Sequence, residues 1–388
     1  MPGNTPDKNA CVASTLRIRP PSPGIFSGGA YGNGAIAKDC GSPLKSRVWS
    51  DVPVGVRLLG RVRNGEPRET CAIGMDAAFA MSCGLGHSRI MRVAITGGSG
   101  FVGSHLAERF PASDVSIVSR RSGTPVDDVD GLTRSFEGCD VVVHCAGINR
   151  EIGAQTFDRV HVQGTAAVIE AARRAGVRKI VMLSFLRARP GSGSPYHESK
   201  WAAEEMIRSS GLDYTILKAG MIYGHGDHLV DHLSRTIQTI PIFAAVGLRE
   251  KTISPVPVSE LVDVLVAALD TRLANQTVAV RGGETLLLSE AARRVARVLN
   301  RRLVIVRLPV AFHYVLAQFT EWTMTVPLLA KAQARMLAEG VTDAALPAAE
   351  LPDDLRPHLA FNDAQIRDAL PESDGFSWRD LRLSGSLQ

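Results

Sequence analysis

A glycine-rich segment between a predicted strand and a predicted helix constrains this chain more than any other feature. The segment, Thr96-Gly97-Gly98-Ser99-Gly100-Phe101-Val102-Gly103, follows the apolar run Arg92–Thr96. Gly97 allows a tight turn, Gly100 lets backbone approach a diphosphate, and Gly103 lets the helix pack closely on the strand. Unpaired N–H groups at the helix start attract negative charge. The segment therefore predicts a dinucleotide-binding loop whose cofactor contacts come from Gly97, Ser99, Gly100, Phe101, Val102 and Gly103.

Beyond this loop, short apolar runs alternate with helical patterns. Parallel strands need helical crossovers, so the alternation predicts an α/β fold with a Rossmann-type, doubly wound parallel sheet. After about residue 225 the pattern becomes irregular, which predicts a smaller C-terminal α/β lobe. The predicted strands are Arg92–Thr96, Val115–Ser119, Asp140–His144, Lys179–Ser184 and Tyr214–Leu217, with helices near Val102–Arg109, Thr156–Ala175 and Glu198–Ser209. In the lobe we expect helices at Ser259–Leu269 and Ser289–Leu299, a strand near Thr277–Arg281, and an amphipathic helical pair between Val310 and Gly340.

The first 90 residues differ in composition from the rest. Gly and Pro make up 21 of these 90 residues but only 36 of the following 298. We therefore expect a disordered leader over residues 1–90, an NAD(P)-binding domain over 91–225, and a lobe forming a substrate cleft over 226–388. Because Met91 directly precedes the first convincing strand, the leader is interpreted as a non-essential extension or the product of an upstream start codon. Its arginines leave an organelle-targeting peptide open, although Asp7, Asp39 and Asp51 argue against one.

The charge balance argues against nucleic acid as a partner. Residues 91–388 hold 33 Lys and Arg against 33 Asp and Glu, whereas the leader holds 11 against 6. A neutral body lacks the clustered positive charge that phosphate backbones require. Six scattered cysteines predict a reducing compartment, and we recognise neither a secretory signal nor a run of eighteen apolar residues. We therefore expect a cytoplasmic protein without a transmembrane segment.

The residues after the second predicted strand favour NADP(H) over NAD(H). An NAD site usually places an acidic residue there to bind the ribose 2′-hydroxyl, but this strand runs into Arg120-Arg121. Two guanidinium groups would instead meet a 2′-phosphate, unless the pair is only a solvated turn. We further expect Asp128-Val129 beside the adenine, and Cys145-Ala146-Gly147 beneath the cofactor.

Two of the five tyrosines are followed by a lysine four residues later, and their contexts differ. Ser194-Pro195 marks a helix start, which puts Tyr196 and Lys200 one turn apart on one helix face. A lysine in this position lowers the pKa of the phenol and holds the cofactor ribose, so Tyr196 is a candidate general acid or base for a carbonyl or alcohol. The second pair, Tyr214 and Lys218, lies in a predicted strand, and its tyrosine is expected to pack against a helix.

Together these motifs resemble the short-chain dehydrogenase/reductase superfamily, specifically its extended and atypical branch of epimerase/dehydratase-like proteins. The resemblance covers about Met91–Asp270. The matching motifs are Thr96–Gly103, Cys145-Ala146-Gly147, Gly164-Thr165, Tyr196 with Lys200, and Ile222-Tyr223-Gly224 with Gly226-Asp227. More loosely, Val326–Gly340 is similar to relatives of the nucleotide-binding accessory subunit of respiratory complex I. The resemblance implies an NADP(H) site, and some of those relatives do no chemistry.

Three departures from the family pattern concern turnover and leave cofactor binding untouched. The family's serine or threonine that polarises the substrate carbonyl should follow the strand at 179–184, where only Ser184 is nearby. The family's helix asparagine is replaced by His161, and the usual Arg-Pro is Lys218-Ala219. Serines of the following loop, Ser192 or Ser194, are candidate substitutes.

A histidine cluster after the last of these motifs allows a second interpretation. His225-Gly226-Asp227-His228 precedes Asp231 and His232, and His228 and His232 would share a helix face at metal-ligand spacing. No third ligand is fixed by this spacing. We therefore favour Asp227 as a helix cap and the histidines as lining of the substrate cleft, and we predict no metal.

Two functions follow from these features. The first is an NAD(P)(H)-dependent oxidoreductase or epimerase/dehydratase-like enzyme acting on a small carbonyl or hydroxyl compound, with Tyr196 as acid or base, Lys200 orienting the ribose and Ser184 as helper. The second is a non-catalytic NADP(H)-binding accessory subunit or redox sensor, whose apolar C-terminal helices could dock on a membrane complex. The oligomeric state and the substrate are not encoded in any motif that we recognise.

Overall fold

A computed structural model describes residues 91–324, 329–372 and 375–376. The predictions about the leader at residues 1–90, and about residues 326–328 of the segment compared with complex I relatives, lie outside these ranges.

The first strand, β1 (Val93–Thr96), is buried at all four positions. A continuous apolar run of this kind is typical of a strand covered on both faces, as in a parallel sheet. Its neighbours on the two sides start in register, since Val93 pairs with Val115 on one strand and with Val141 on the other.

Seven strands form the main sheet, and every pairing in it is parallel. The strands besides β1 are β2 (Val115–Val118), β3 (Val141–His144), β4 (Lys179–Phe185), β5 (Asp213–Ala219), β10 (Gln276–Val280) and β13 (Ala349–Glu350). Their order across the sheet is β13-β10-β5-β4-β3-β1-β2. The chain moves to opposite sides of β1 when it forms β2 and β3, so a crevice opens at the carboxyl ends of β1 and β3, where such sheets bind ligands.

Ten α-helices lie in the described part of the chain, and they cover both faces of the sheet and build the lobe. They are α1 (Phe101–Ala107), α2 (Val129–Phe136), α3 (Gly164–Arg174), α4 (Pro195–Arg208), α5 (Leu229–Thr239), α6 (Val258–Ala267), α7 (Leu288–Val298), α8 (Val310–Thr323), α9 (Lys331–Glu339) and α10 (Asp363–Ala369). Helices α1 and α6 share one buried cluster with the sheet, and α2, α3 and α4 share another on the opposite face. The predicted Rossmann-type, doubly wound sheet is therefore confirmed.

The lobe has its own core, to which α5, α7 and α10 contribute. Its short strands form three separate pairs: β6 (Ile222–Tyr223) with β9 (Val256–Pro257), β8 (Thr252–Ile253) with β11 (Leu286–Leu287), and β7 (Ile242–Val246) with β12 (Val304–Leu308). Strands β10 and β13 lie beyond residue 225 but belong to the main sheet. The division at residue 225 thus remains a proposal about domain organisation.

Two local differences from the sequence-based expectations stand out. The helix predicted at Thr156–Ala175 begins with a π-helical turn at Asp158–Gln163, which periodicity of 3.6 residues does not distinguish from an α-helix. Helix α2 was not expected as an element, because its first residues were assigned to cofactor contacts. None of the helices in the described ranges combines the length and apolarity needed to cross a membrane.

Candidate functional site

The glycine-rich loop has the shape that a diphosphate requires. Gly97 adopts φ +72°, and a Cβ there would lie 2.7 Å from the backbone nitrogen of Ala146. A Cβ at Gly103 would lie 2.8 Å from Cα of Gly98, so α1 packs directly on the loop. At Gly100 the only protein atom near an added Cβ is the Gly97 carbonyl oxygen, at 3.1 Å. The loop therefore leaves space above Gly100, at the start of α1, where backbone can approach a ligand.

A cavity of about 850 Å³ opens from this loop along the carboxyl ends of the strands. It brings together most of the residues singled out from the sequence: Gly97, Ser99, Gly100, Phe101, Val102, Gly103, Arg120, Arg121, Cys145, Ala146, Gly147, Ser184, Tyr196 and Lys200. The loop, the arginine pair and the tyrosine–lysine pair thus lie in one continuous site.

Asp128 and Val129 are the exceptions among the predicted cofactor contacts. The Asp128 carboxylate caps α2 by accepting a hydrogen bond from the Gly131 N–H at 3.0 Å, and Val129 is the first residue of that helix. The cavity wall at this place is formed instead by Val126 and Asp127. The Asp128 carboxylate therefore caps a helix, and its position beside the adenine stays a prediction.

The arginine pair lies in a 3-10 turn directly after β2. Both side chains are exposed at the cavity edge, and neither guanidinium forms an ion pair with another described residue. Ser119 and Ser122 hold the turn in place through a reciprocal capping interaction. The two positive charges are therefore available to an anionic group bound in the cavity.

Tyr196 and Lys200 lie in the first turns of α4, which begins at Pro195 as predicted. Both side chains are buried, and the rings of Phe157, His161 and Phe185 surround Tyr196 with centroids 5.4 to 5.7 Å away. Burial raises the pKa of the Tyr196 phenol above its usual value. From the sequence, Lys200 is expected to lower this pKa. In the structure, the pKa of Tyr196 is instead shifted by desolvation of the phenol.

Lys200 lies at the floor of the cavity, where its Nζ donates a long hydrogen bond to the Leu183 carbonyl at 3.4 Å. Burial lowers the pKa of Lys200 to about 8, although the nearby Cys145 and Glu204 act in the opposite direction. A Cβ on Gly147 would come within 3.0 Å of the lysine Nζ. A side chain at this position would press on the end of the lysine.

Ser184 lies at the cavity wall, but its hydroxyl donates to Glu204 Oε1 at 2.5 Å. Glu204 is completely buried and is also paired with Arg208 at 2.6 Å and Lys218 at 3.4 Å. Burial raises the pKa of the Glu204 carboxyl, while these partners act to lower it. The Ser184 proton is thus directed to the carboxylate of a buried ion network.

Two loop serines considered as substitutes for Ser184 have other partners. The Ser194 hydroxyl lies 2.6 Å from Nδ1 of His197, and the Ser192 hydroxyl donates to the Ser194 carbonyl. Neither side chain lines the cavity.

His161 occupies the π-helical turn beside Tyr196. Its Nε2 accepts the Ile148 N–H at 3.1 Å, so its Nδ1 carries the proton and donates to the Ser199 hydroxyl at 2.9 Å. Burial, reinforced by the positive charge of Lys200, lowers the pKa of His161 to about 2. The side chain is therefore a neutral positioning group that links the strand-end loop to α4.

In the histidine cluster, the Asp227 carboxylate accepts hydrogen bonds at the start of α5, as expected of a helix cap. Asp227 accepts hydrogen bonds from the N–H groups of Val230 at 2.9 Å and Gly224 at 3.0 Å, while His228 and His232 line the cavity. Within the described ranges, no group of three His, Cys, Asp or Glu side chains is arranged to hold a metal ion.

The end of the cavity away from the glycine loop is mainly apolar, which sequence reasoning did not identify. Its walls come from α5, β7, α8 and α9. The relevant signal is the amphipathic pattern of these helices, but the same pattern also describes an ordinary core, so only the packed structure separates the two.

Comparisons with known proteins agree with this geometry. Residues 97–233 match a family model described as NAD(P)H-binding. Ceramide reductase from Caulobacter vibrioides is 35% identical over 155 residues, which cover 35% of this chain and 47% of the relative. The 40 kDa subunit of NADH-ubiquinone oxidoreductase from Neurospora crassa is 25% identical over 176 residues, which cover 45% of this chain and 46% of that protein. In both cases the match spans about half the length of the relative.

Among solved structures, UDP-glucose 4-epimerase from Thermus thermophilus, in complex with NAD, superimposes with a TM-score of 0.52 at 21% identity and covers 72% of this chain and 97% of its own. At this identity the likeness concerns the fold alone. Residues 97–233 are thus an NAD(P)H-binding domain, and the chain is related to the extended short-chain dehydrogenase/reductase superfamily, as its motifs predict.

Proposed function

We propose that this protein is an NADP(H)-dependent oxidoreductase that acts on a carbonyl or the corresponding alcohol. The observation that carries the proposal is the single cavity that contains the glycine loop, Tyr196 and Lys200. The bound nicotinamide would supply or accept the hydride. Its presence in this cavity is supported by the family match and by the open space above Gly100.

Tyr196 is proposed to act as the general acid in the direction of reduction. Because burial raises the pKa of its phenol, the hydroxyl keeps its proton at physiological pH and can donate it to a substrate oxygen. Lys200, at the cavity floor beside Gly147, is proposed to bind the cofactor ribose and to stabilise the phenolate left by proton transfer. The reductase named among the relatives supports this class of reaction.

NADP(H) is proposed as the cofactor in preference to NAD(H). Arg120 and Arg121 follow β2, line the cavity edge and have no ion-pair partner in the described ranges. Arg side chains can bind phosphate through two parallel hydrogen bonds.

A second candidate, a non-catalytic NADP(H)-binding subunit, is favoured by one specific observation. The hydroxyl of Ser184 donates to Glu204, so its proton is already bound by a protein group. The similarity to the 40 kDa subunit from Neurospora crassa is consistent with this alternative.

Substitution of Tyr196 tests the enzyme proposal. With a panel of sugar, steroid and quinone substrates and NADPH, Tyr196→Phe should lower any turnover about 100-fold or more, because a general acid is lost. NADPH affinity should remain, since ring packing is preserved.

Tyr214→Phe is the matched control, because Tyr214 lies on β5 outside the cavity, and it should keep nearly full turnover. Equal activity of Tyr196→Phe and wild type would refute the catalytic assignment. Binding of NADPH with no turnover of any panel member would favour the non-catalytic subunit.

A further inference from the structure

The end of the cavity beyond Tyr196 is built for an apolar group. Apolar side chains from four elements line it, among them Leu233 of α5, Phe243 of β7, Leu316 of α8 and Met336 of α9. Polar lining at this end comes from His228, His232, Thr236, His313 and Gln333. His313 is buried, and a ring N–H can donate to a backbone carbonyl oxygen 3.2 Å away. This end therefore offers a ligand a mainly apolar contact area.

Helix α8 separates this apolar end from the outside of the molecule. His313 and Leu316 face the cavity, whereas Val315, Phe319 and Trp322 are 71%, 59% and 73% exposed. Phe312 contacts both the cavity and the exterior, since it lines the cavity and is 46% exposed. An apolar surface therefore runs from the cavity, over one helix, to the exterior. We call Phe312, Val315, Phe319 and Trp322 the outer stripe of α8.

Basic residues lie on both sides of the outer stripe in the sequence, and Lys331 borders it in space. Residues 301–331 contain four basic side chains, Arg301, Arg302, Arg307 and Lys331, against one acidic residue, Glu321. None of the four forms an ion pair with another described residue, and Lys331 borders a shallow groove with Val315, Phe319 and Trp322. Residues 91–388 as a whole are charge-balanced, so this surplus is local. Exposed Trp and Phe flanked by Lys and Arg are typical of helices that lie on anionic membranes.

We propose that the site takes a long-chain amphiphile, which it receives from an anionic membrane surface on which the outer stripe of α8 lies. This inference rests on the proposed function, and it places the carbonyl or hydroxyl end of the amphiphile beside Tyr196 and its chain between α5, α8 and α9. Helix α8 lies with its outer stripe in the membrane interface, and the apolar chain of the amphiphile passes over Phe312 into the cavity. Neither step requires a membrane-spanning helix.

The first experiment tests the chain site with the full-length protein loaded with NADPH. Binding of 1-butanol, 1-hexanol, 1-octanol and 1-decanol is measured by calorimetry. The dissociation constant should fall roughly three- to fourfold per added methylene, the usual gain from burying one. Leu316→Gln, in the cavity wall, should flatten this dependence, whereas Leu248→Gln, 67% exposed and outside the cavity, should leave it unchanged.

A chain-length series with constant affinity in the wild type would overturn the proposal. The NADPH affinity of the same samples separates this failure from failure of the proposed function. If the protein binds NADPH but its alcohol affinity does not depend on alcohol length, the oxidoreductase proposal stands and the chain site does not.

The second experiment tests the membrane surface by flotation with vesicles. The full chain should bind vesicles of phosphatidylglycerol and phosphatidylcholine more tightly than vesicles of phosphatidylcholine alone. The double variant Phe319→Gln/Trp322→Gln should weaken this binding roughly tenfold or more, because the main apolar anchors are lost. Leu346→Gln, which removes an apolar side chain that is 78% exposed elsewhere, should bind like wild type.

Two outcomes would contradict the membrane assignment. One is the absence of binding to the anionic vesicles. The other is a wild-type dimer that the double variant converts to a monomer, which would identify the outer stripe as a contact between copies of this chain. Retained NADPH affinity of the double variant shows that it is folded.

Discussion

At the scale of single residues, the two ends of the cofactor site are held by different kinds of interaction. Gly97, Gly100 and Gly103 act through the absence of a side chain, whereas Arg120 and Arg121 act through charge at the cavity edge. In the proposed function, the glycines would hold the diphosphate of either cofactor. The arginine pair would distinguish a 2′-phosphate from a 2′-hydroxyl.

We expect replacement of the arginine pair to reverse the cofactor preference selectively. A charge-assisted hydrogen bond contributes roughly 1.5–3 kcal/mol, so Arg120→Ala/Arg121→Ala should weaken NADPH binding by about 10- to 150-fold. NADH affinity should change little, as measured by fluorescence titration. Arg301→Ala/Arg302→Ala is a control for loss of two positive charges elsewhere. Equal affinities of the wild type for NADPH and NADH would show that the pair is only a surface turn.

How far the sequence predicts the site also depends on individual residues. The helix start at Pro195 and the Tyr196 and Lys200 spacing are local, so they are readable without a structure. The partner of Ser184 is not, because Glu204 reaches it from a different element. The capping role of Asp128 is not readable from the sequence either, because a helix cap and the predicted adenine contact both call for an acidic residue after a loop.

At the scale of elements, the glycine loop and α1 form one unit. A Cβ at Gly103 would collide with Gly98, whereas one at Gly100 meets only the Gly97 carbonyl at 3.1 Å. Gly103→Ala should therefore destabilise the fold by roughly 1–3 kcal/mol, the usual cost of overpacking, and weaken NADPH binding as well. Gly100→Ala should keep nearly the wild-type stability and lose cofactor affinity. Denaturant titration with NADPH binding separates the two variants, and equal stability losses would contradict this division.

Sequence patterns located most helices of the described ranges to within a few residues, because apolar periodicity is a local property. They did not indicate that the strand expected near Thr277–Arg281 pairs with β5, 61 residues earlier in the chain. They also missed the π-helical turn that places His161 beside Tyr196, since one extra residue per turn leaves the apolar pattern almost unchanged.

At the scale of the whole molecule, buried histidines connect stability to pH. Burial lowers the pKa of His144 to about 3, of His161 to about 2 and of His197 to about 4. Each is neutral in the folded state, and each gains a proton near pH 6.5 when the chain unfolds. Their contribution to stability is therefore complete above about pH 6.5 and is lost as the pH falls. The buried Asp227, whose pKa burial raises to about 7, contributes in the opposite direction.

Comparison of the wild type with His197→Gln measures the contribution of this one histidine to the pH dependence of stability. Between pH 7 and pH 5, the free energy of unfolding of the wild type should fall by about 2 kcal/mol more than that of His197→Gln, because the variant has one fewer group to protonate on unfolding. Urea titrations at pH 7, 6 and 5 give the free energy of unfolding of both proteins. The slopes of these free energies against pH are compared, so a constant destabilisation by the substitution does not matter. Parallel pH profiles would show that His197 takes up no extra proton on unfolding.

The return of β10 and β13 to the main sheet has a consequence for protein engineering. A chimera joined at residue 225 would exchange not only the lobe that closes the cavity but also β10, which pairs with β5, and β13, which pairs with β10. A fragment ending there would leave β5 as a long, apolar sheet edge, which favours aggregation. The lobe therefore cannot be exchanged between relatives without also exchanging strands of the main sheet. Recombination that aims to change the ligand must keep β5 and β10 from the same parent.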